Sequence, residues 1–487
     1  MTSLTSKFVR TRIAPSPTGN LHIGTVRTAL YNLLFARKHG GHFYFRLEDT
    51  DMERSKEEFT QEIIDGFRFL GIEWDRPDFK DFADVVFEDG IVRQSTRNSA
   101  HRAYIEQLIS SKRAYKCYTT PDEMEKLRES QRAQKLPEGY DNRGRNYTED
   151  QIKEFQAENR PYVIRLNLGS ERDIKWTDLV RGEMSINTRD LGGDPVIMKA
   201  NGQVLYNFAV VADDADMGIT HVFRGEDHLT NTAKQITIYE AFGFPVPEFG
   251  HLPLIFTKDR QKLSKRKHGD IAGVEKYIKE GYLPSALNNY LVATSYSCPS
   301  GQEIFDLAHG ASFFDISCVS KSPAVYDIDK LNWYNREYMS RIPYPELLGE
   351  LKKYTKFDFD KFSTADLQEL IEAIRGNLNK FIDINDNIDY FYSLPELGGD
   401  LVSLIGEAKD LLSELAKRIK AGDFDFSSAE QMKSQINKLG EDLNLKGKKL
   451  FMPIRAVLSA RQHGPDLGLI MKLLGKETVL ARMADFG

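Results

Sequence analysis

Cysteine is scarce in this chain. Cys117, Cys298 and Cys318 are the three among 487 residues, and no two stand in a CxC or CxxC pair. That spacing argues against a disulfide framework and against a four-ligand zinc site built mainly of thiolates. Long apolar runs are missing too: nothing approaches the stretch of about 18 residues that a membrane helix needs, and Met1 to Arg10 contains no apolar core of a targeting segment. A cytoplasmic protein with no membrane segment is expected. Positive charge is not in excess either, since 66 Lys and Arg stand against 72 Asp and Glu, for a net charge of −6. Any surface for nucleic acid must therefore be a local patch. There is no internal repeat and no low-complexity tract. What remains, with 41% hydrophobic and 28% charged residues, is the composition of a soluble globular protein long enough for roughly three domains.

Along the chain, Phe8 to Ala14 alternates with the two-residue period of a strand. The turn Pro15-Ser16-Pro17-Thr18-Gly19-Asn20 follows, and then Val26, Leu30, Leu33 and Leu34 recur at helical spacing up to Gly40-Gly41. His42 to Leu47 reads as a second strand running into Glu48-Asp49-Thr50-Asp51, the start of an α/β layer structure. From about 100 to 200 the pattern changes to charged helical stretches such as Glu123 to Gln134 and short strands such as Tyr162 to Leu166, which marks an insertion. Strand and helix signals resume with Val204 to Val211, His221 to Phe223 and a helix over Thr232 to Phe242. Beyond Pro343-Tyr344-Pro345 the chain reads as all helical. Ser363 and Asp366 start one helix, and Leu401, Ile405, Ala408, Leu412, Leu415 and Ile419 step by threes and fours.

Two stretches carry chemistry. Thr18-Gly19-Asn20-Leu21-His22-Ile23-Gly24-Thr25 lies between a strand and a helix, where free backbone N–H groups, the positive helix end and an imidazole donor can hold phosphate. Gly19 and Gly24 permit close backbone approach. Taken alone, His22 could equally be a turn residue. Lys262-Leu263-Ser264-Lys265-Arg266 sits in the basic segment Lys258 to His268, whose lysines could follow charge building on a triphosphate. Alone, that segment could be a solvated loop. The two stretches in this order, a domain's length apart, favour a nucleotide site.

His22-Ile23-Gly24-Thr25 and Lys262-Leu263-Ser264-Lys265-Arg266 resemble the two signatures of class I aminoacyl-tRNA synthetases, with Leu263 for the usual Met and Arg266 for the final Ser. The wider text resembles the bacterial glutamyl-tRNA synthetase family. The resemblance runs through Arg10 to Gly19, Arg46 to Asp51, Tyr206-Asn207-Phe208, Asp213-Asp214, Thr220 to His228 and Leu450 to Arg455, nearly the whole chain.

That resemblance implies an α/β fold with a Rossmann-type doubly wound catalytic domain in two halves, residues 1–100 and 201–257. It further implies an inserted α+β domain over 101–200 for the tRNA acceptor end, a connecting region over 258–340 with the second signature, and an all-α anticodon-binding domain over 341–487. The implied reaction activates L-glutamate with ATP and Mg²⁺ to glutamyl-adenylate, then charges tRNA(Glu), in a monomeric protein. His22, Lys262 and Lys265 are the implied catalytic residues. Pro15, Ser16, Pro17, Thr18, Gly19, Gly24, Thr25, Leu263, Ser264 and Arg266 join them at ATP. Arg12 and Arg224 would take the carboxylates of glutamate, as strand-end arginines with a planar, permanently charged fork are suited to do. Ser16 and Tyr206 would add hydrogen bonds and Glu48 would pair with the ammonium.

Each of these has a plainer reading: Tyr206 as a core aromatic, Glu48 as part of an acidic run, Ser16 as a turn residue, Arg224 as an ion-pair partner of Glu226 or Asp227. Many bacterial members carry a zinc knob at the start of the insertion. Here Thr119 replaces its second cysteine after Cys117, and Arg143 and Arg145 lie where further ligands would be sought, so no structural zinc is expected. Ser295 and Tyr296 replace a common Gly and Trp, which reads as a packing change. Lys417-Arg418, Lys446 to Lys449, Arg455 and Arg461 are basic candidates for the anticodon, with a solvated face as the alternative. A form that also charges tRNA(Gln), a glutaminyl-tRNA synthetase, a small-cofactor nucleotidylyltransferase and a non-catalytic tRNA-binding protein are the alternatives. A truncated paralogue that modifies a tRNA base is disfavoured by the helical C-terminal region.

Overall fold

The computed structural model describes residues 8–51, 55–77, 87 and 89–484, with only the backbone described at Lys265 and Arg266. The first strand, β1 (Arg10–Ile13), leads through the Pro/Gly turn into helix α1 (Ile23–Lys38) and strand β2 (His42–Leu47). In β2, Phe43, Tyr44, Phe45 and Leu47 are all buried, the two-sided burial of a parallel strand covered on both faces. Helix α1 is likewise buried on most of its circumference, through Val26, Ala29, Leu30, Leu33 and Leu34. Gly41, between α1 and β2, is required by contact: a Cβ there would lie 2.2 Å from the Val9 carbonyl oxygen.

Helix α2 (Glu57–Phe69) and strand β3 (Val92–Arg93) follow, then α3 (Asn98–Ser110), β4 (Ala114–Cys117), α4 (Pro121–Ala133), α5 (Glu149–Ala157) and β5 (Val163–Leu166). Capping boxes at Thr120 with Glu123, and at Thr148 with Gln151, fix where α4 and α5 begin. Next come β6 (Asp173–Asp178), β7 (Gly182–Asn187), β8 (Val196–Met198), α6 (Tyr206–Asp216), β9 (His221–Gly225), α7 (Leu229–Phe242) and β10 (Glu248–Leu252). The strand and helix signal over Val204 to Val211 resolves as the first half of α6.

Strands β3, β2 and β1 form one parallel sheet, and β9 pairs with β10 in parallel, which pairs with β6 and so with β7. The two sheets abut at β1 and β9, where the Thr220 N–H donates to the Arg10 carbonyl at 3.0 Å. Strand order thus runs outward in opposite directions from β1 and β9, the switch point at which α/β proteins bind ligands beyond the carboxyl ends of the strands. Strands β4, β5 and β8 make a separate antiparallel sheet. The β6–β7 hairpin lies within residues 101–200 yet extends the main sheet through Phe249 opposite Asp178.

Residues 1–276 with 287–327 form one compact unit, and 277–286 with 328–487 the other. The second is helical, with Thr364–Ile374, Lys409–Ala421, Ala429–Asp442, Lys448–Ser459 and Leu467–Arg482 among its helices. Its core includes the fully buried Leu370, Ile371, Ile374, Leu412, Leu415 and Ile454, each contributing roughly 1.5–3 kcal/mol by burial. The periodic run from Leu401 to Ile419 is two helices, Gly399–Glu407 and Lys409–Ala421, because Ala408 leaves helical geometry at φ −110°, ψ 21°.

Candidate active site

A cavity of about 520 Å³ opens at the carboxyl ends of β1 and β9. Of the residues anticipated from sequence it is lined by Arg12, Pro15, Ser16, His22, Gly24, Thr25, Glu48, Tyr206, Arg224, Lys262, Leu263 and Ser264. Pro17, Thr18 and Gly19 are not among its lining residues. The side chains of Lys265 and Arg266 lie outside the described residues.

His22 is the N-cap of α1, and its Nδ1 accepts from the Gly24 N–H at 2.9 Å. A neutral imidazole that accepts at Nδ1 carries its proton on Nε2, so the ring offers a donor beside the first turn of a sixteen-residue helix. Gly24 follows from this cap, since a Cβ there would sit 3.0 Å from His22 Nδ1. The turn before His22 is tied to the end of β2 by the Glu48 N–H, which donates to the Pro15 carbonyl at 2.9 Å.

The floor of the cavity is a buried array of charges. Arg12 Nε is 3.1 Å from Asp214 Oδ1, Arg46 Nη1 is 2.5 Å from the same oxygen, and Arg46 Nη2 is 3.1 Å from Glu48 Oε1. All four side chains are buried. Burial pushes the Asp214 carboxyl up, but Arg12 and Arg46 more than offset it and hold it below the usual range. At Glu48 burial wins over Arg46 and Arg12, and the carboxyl is raised. A cation entering beside Glu48 would be stabilised there.

Arg224 is only 6% exposed and makes no ion pair with Glu226 or Asp227. Glu226 pairs instead with Arg181 and accepts from the Leu254 N–H, while Asp227 accepts from Lys262 Nζ at 2.9 Å. Arg224 donates to neutral acceptors, from Nη2 to Thr232 Oγ1 at 2.6 Å and from Nε to His251 Nε2 at 3.3 Å. Its Nη1 is buried without a hydrogen-bond partner. Burial, with Arg12 as a nearby like charge, lowers its pKa, which is the electrostatic signature of a place for an anion.

Lys262 stands at the mouth on a hairpin that pairs with Phe256. Leu263, 3% exposed, anchors the loop, so the apolar role of the usual Met is retained. Sequence reasoning gave no role to Arg27, Thr28, Asp227 or His228, which also line the cavity. Arg27 is buried, donating to the Pro253 carbonyl and, at 3.4 Å, to Ser295 Oγ. His228 Nδ1 is 3.3 Å from Tyr206 Oη, and burial beside Arg224 lowers the imidazole to about 4. The segment Thr220 to His228 contained the signal for two of these residues; Arg27 and Thr28, on α1 after His22, read as ordinary helix positions.

Away from the cavity, Cys117 Sγ is 3.1 Å from Tyr140 Oη, and Thr119 Oγ1 is 2.8 Å from Tyr147 Oη. Arg143 pairs with Asp141, and Arg145 with the buried Asp194. Among the described residues, no group of three or more His, Cys, Asp or Glu side chains could hold a metal ion. Tyr296 stacks on Phe314 at 5.1 Å. In the helical unit Arg418 pairs with Glu414 and Asp442, Lys417 with Glu414, and Arg461 with Asp389, whereas Lys446, Lys448 and Lys449 are exposed. Arg455 is half-buried, and burial lowers its pKa. Among the described residues no helix is long and apolar enough to cross a membrane.

Comparison with known proteins gives a consistent picture. Residues 8–333 match a family model described as tRNA synthetases class I (E and Q), catalytic domain, and residues 346–486 match an anticodon binding domain. The chain is 40% identical over 477 residues to a glutamate–tRNA ligase of Synechococcus sp. (strain JA-3-3Ab), covering 96% of each. It is 39% identical to one of Natranaerobius thermophilus, covering 97% of each. Among solved structures, a glutamate tRNA ligase of Elizabethkingia meningosepticum in complex with its amino acid superposes with a TM-score of 0.84 at 32% identity, over 98% of this chain and 99% of that one.

Proposed function

Because this chain belongs to the class I tRNA synthetases of the glutamate and glutamine group, matching glutamate–tRNA ligases over its full length, we propose that the cavity at β1 and β9 activates L-glutamate for transfer to tRNA(Glu). In the first step the α-carboxylate of glutamate attacks the α-phosphorus of ATP, a P–O bond forms, and pyrophosphate leaves. In the second a terminal ribose hydroxyl of tRNA attacks the mixed anhydride, and AMP leaves. The amino-acid carboxylate is already ionised at neutral pH, so the first step needs positioning and charge stabilisation rather than a general base.

The observation that carries this reading is Arg224, a buried guanidinium with no carboxylate partner among the described residues and with Nη1 unpaired, which lines the cavity together with Arg12. Such a group binds an anion that itself becomes desolvated, and glutamate supplies two. Glu48 takes the ammonium, and Ser16 and Tyr206 complete the polar lining. His22 Nε2 and the first turn of α1 face the ATP phosphates. Lys262, with Lys265 by resemblance, follows the charge that develops on the leaving pyrophosphate. Mg²⁺ would enter with ATP as part of that substrate and would supply neutralisation of the phosphate charge. The helical unit receives the anticodon, in keeping with its match to an anticodon binding domain.

Arg224→Ala tests the assignment. Losing a buried charge-assisted contact costs roughly 2 to 5 kcal/mol. Adenylation efficiency with glutamate should fall accordingly, the weak activity with glutamine should change much less, and the ratio between them should compress. An unchanged ratio in a folded variant rules the role out.

A further inference from the structure

Resting on that reading of Arg224, we propose that Asp178, His251 and Thr232 form a buried positioning relay that fixes the Arg224 guanidinium for its carboxylate without neutralising its charge.

The relay begins at the end of β6. Asp178 Oδ1 accepts three backbone N–H groups, from Val180 at 3.0 Å, Arg181 at 2.9 Å and His251 at 3.0 Å. Its Oδ2 lies 2.5 Å from His251 Nδ1, and both side chains are fully enclosed. Burial alone would raise the Asp178 carboxyl, but the contacts with His251 and the amides outweigh it and keep the carboxylate ionised. An ionised carboxylate accepts only, so the imidazole proton is held on Nδ1 and Nε2 is left as an acceptor. Burial and the neighbouring Arg224 lower the pKa of His251, which keeps the ring neutral.

That lone pair is spent on the specificity arginine. His251 Nε2 is 3.3 Å from Arg224 Nε and 2.8 Å from Thr232 Oγ1, and Thr232 Oγ1 in turn accepts from Arg224 Nη2 at 2.6 Å. The Nε and Nη2 edge of Arg224 is therefore pinned at two points, while the residue lines the cavity and its Nη1 is buried without a hydrogen-bond partner. The Arg224 side chain also lies over the Phe249 ring, 5.4 Å from its centroid. Arg12 provides the contrast, because its Nε and Nη2 edge is held by the Asp214 carboxylate itself. At Arg224 the carboxylate stands one residue further back, so orientation is supplied by neutral acceptors and the positive charge stays available to substrate. A direct Asp–Arg pair would orient it equally well and weaken its call for an anion.

Asp178→Asn and Thr232→Val test the relay, with Thr232→Ser as the conservative partner. Asn can keep an oxygen toward the backbone amides, but its amide N–H donates to His251 Nδ1 and moves the ring proton to Nε2, against the donors of Arg224. Both Asp178→Asn and Thr232→Val should raise the KM for glutamate about ten- to a hundredfold, as expected for loss of hydrogen bonds to a charged group. The KM for ATP should stay within about twofold, and discrimination against glutamine should fall. Thr232→Ser should restore wild-type values. If Asp178→Asn does not fold, the Val and Ser pair at Thr232 decides alone. A lowered melting temperature with unchanged glutamate KM and unchanged glutamate-to-glutamine ratio overturns the relay and makes these residues purely structural. A wild-type protein that does not activate glutamate at all overturns the function reading instead.

Discussion

Arg12 and Asp214 meet as a buried pair across 202 residues of sequence, with Arg12 Nε at 3.1 Å from Oδ1 and Nη2 at 3.2 Å from Oδ2. Because Arg46 uses the same carboxylate, Asp214 organises both guanidiniums under the cavity. Asp214→Asn should cost on the order of 3 kcal/mol of stability, since it removes the buried carboxylate that pairs with Arg12 and leaves Arg46 to Glu48 and Asp213. It should also weaken glutamate binding by releasing Arg12. A chemical denaturation curve and the KM for glutamate, measured on the same variant, check both halves. Native-like stability would remove Asp214 from this role.

Such pairs explain which parts of the site can be read from sequence. Arg12, His22, Arg224 and Lys262 stand in local motifs at strand and helix ends, so residue type and neighbours announce them. Asp214 was visible only as one of two adjacent aspartates, and its two partners are set by the meeting of α6 with β1 and β2. The His251 contact to Asp178 depends on a hairpin from residues 173–187 joining the main sheet, which no periodicity records. The helix break at Ala408 was hidden for a related reason: apolar spacing continues through it while the backbone does not.

At Lys262 the proposed function predicts that stability and catalysis separate. Its pair with Asp227 is half exposed on both sides, so it contributes little to folding. Lys262→Ala should leave the melting temperature nearly unchanged while single-turnover adenylate formation slows about a hundredfold, the usual loss for a charge contact made in the transition state. Weaker ATP binding with an unchanged chemical step would assign Lys262 to ground-state binding.

His228 makes stability depend on pH. Burial, then Arg224, holds its pKa near 4 in the fold against the ordinary 6.5. Between those values the unfolded chain binds a proton that the folded chain refuses, so stability is present above 6.5 and is lost as pH falls toward 4. Melting temperatures from pH 7 to 4 should therefore decline less steeply for His228→Asn than for wild type. Parallel curves would show that the imidazole does not titrate this way.

Of the basic candidates read from sequence in the helical unit, Arg418 and Arg461 already face carboxylates, whereas Lys446, Lys448 and Lys449 are exposed. Replacing all three with Ala should weaken tRNA binding and reduce its dependence on salt by a slope of about 2 to 3. Tm and tRNA-independent steps should be untouched. An unaltered salt dependence would mark these lysines as a solvated face.

The most direct test is aminoacylation itself. Purified protein is given ATP, Mg²⁺ and tRNA(Glu), with either labelled glutamate or labelled glutamine, and acid-precipitable charged tRNA is followed over time. Expected is ATP-dependent charging with glutamate and at least a hundredfold lower efficiency with glutamine, about what one unpaired buried charge provides. Absence of glutamate charging, or comparable charging with both amino acids, would contradict the assignment of this cavity to glutamate.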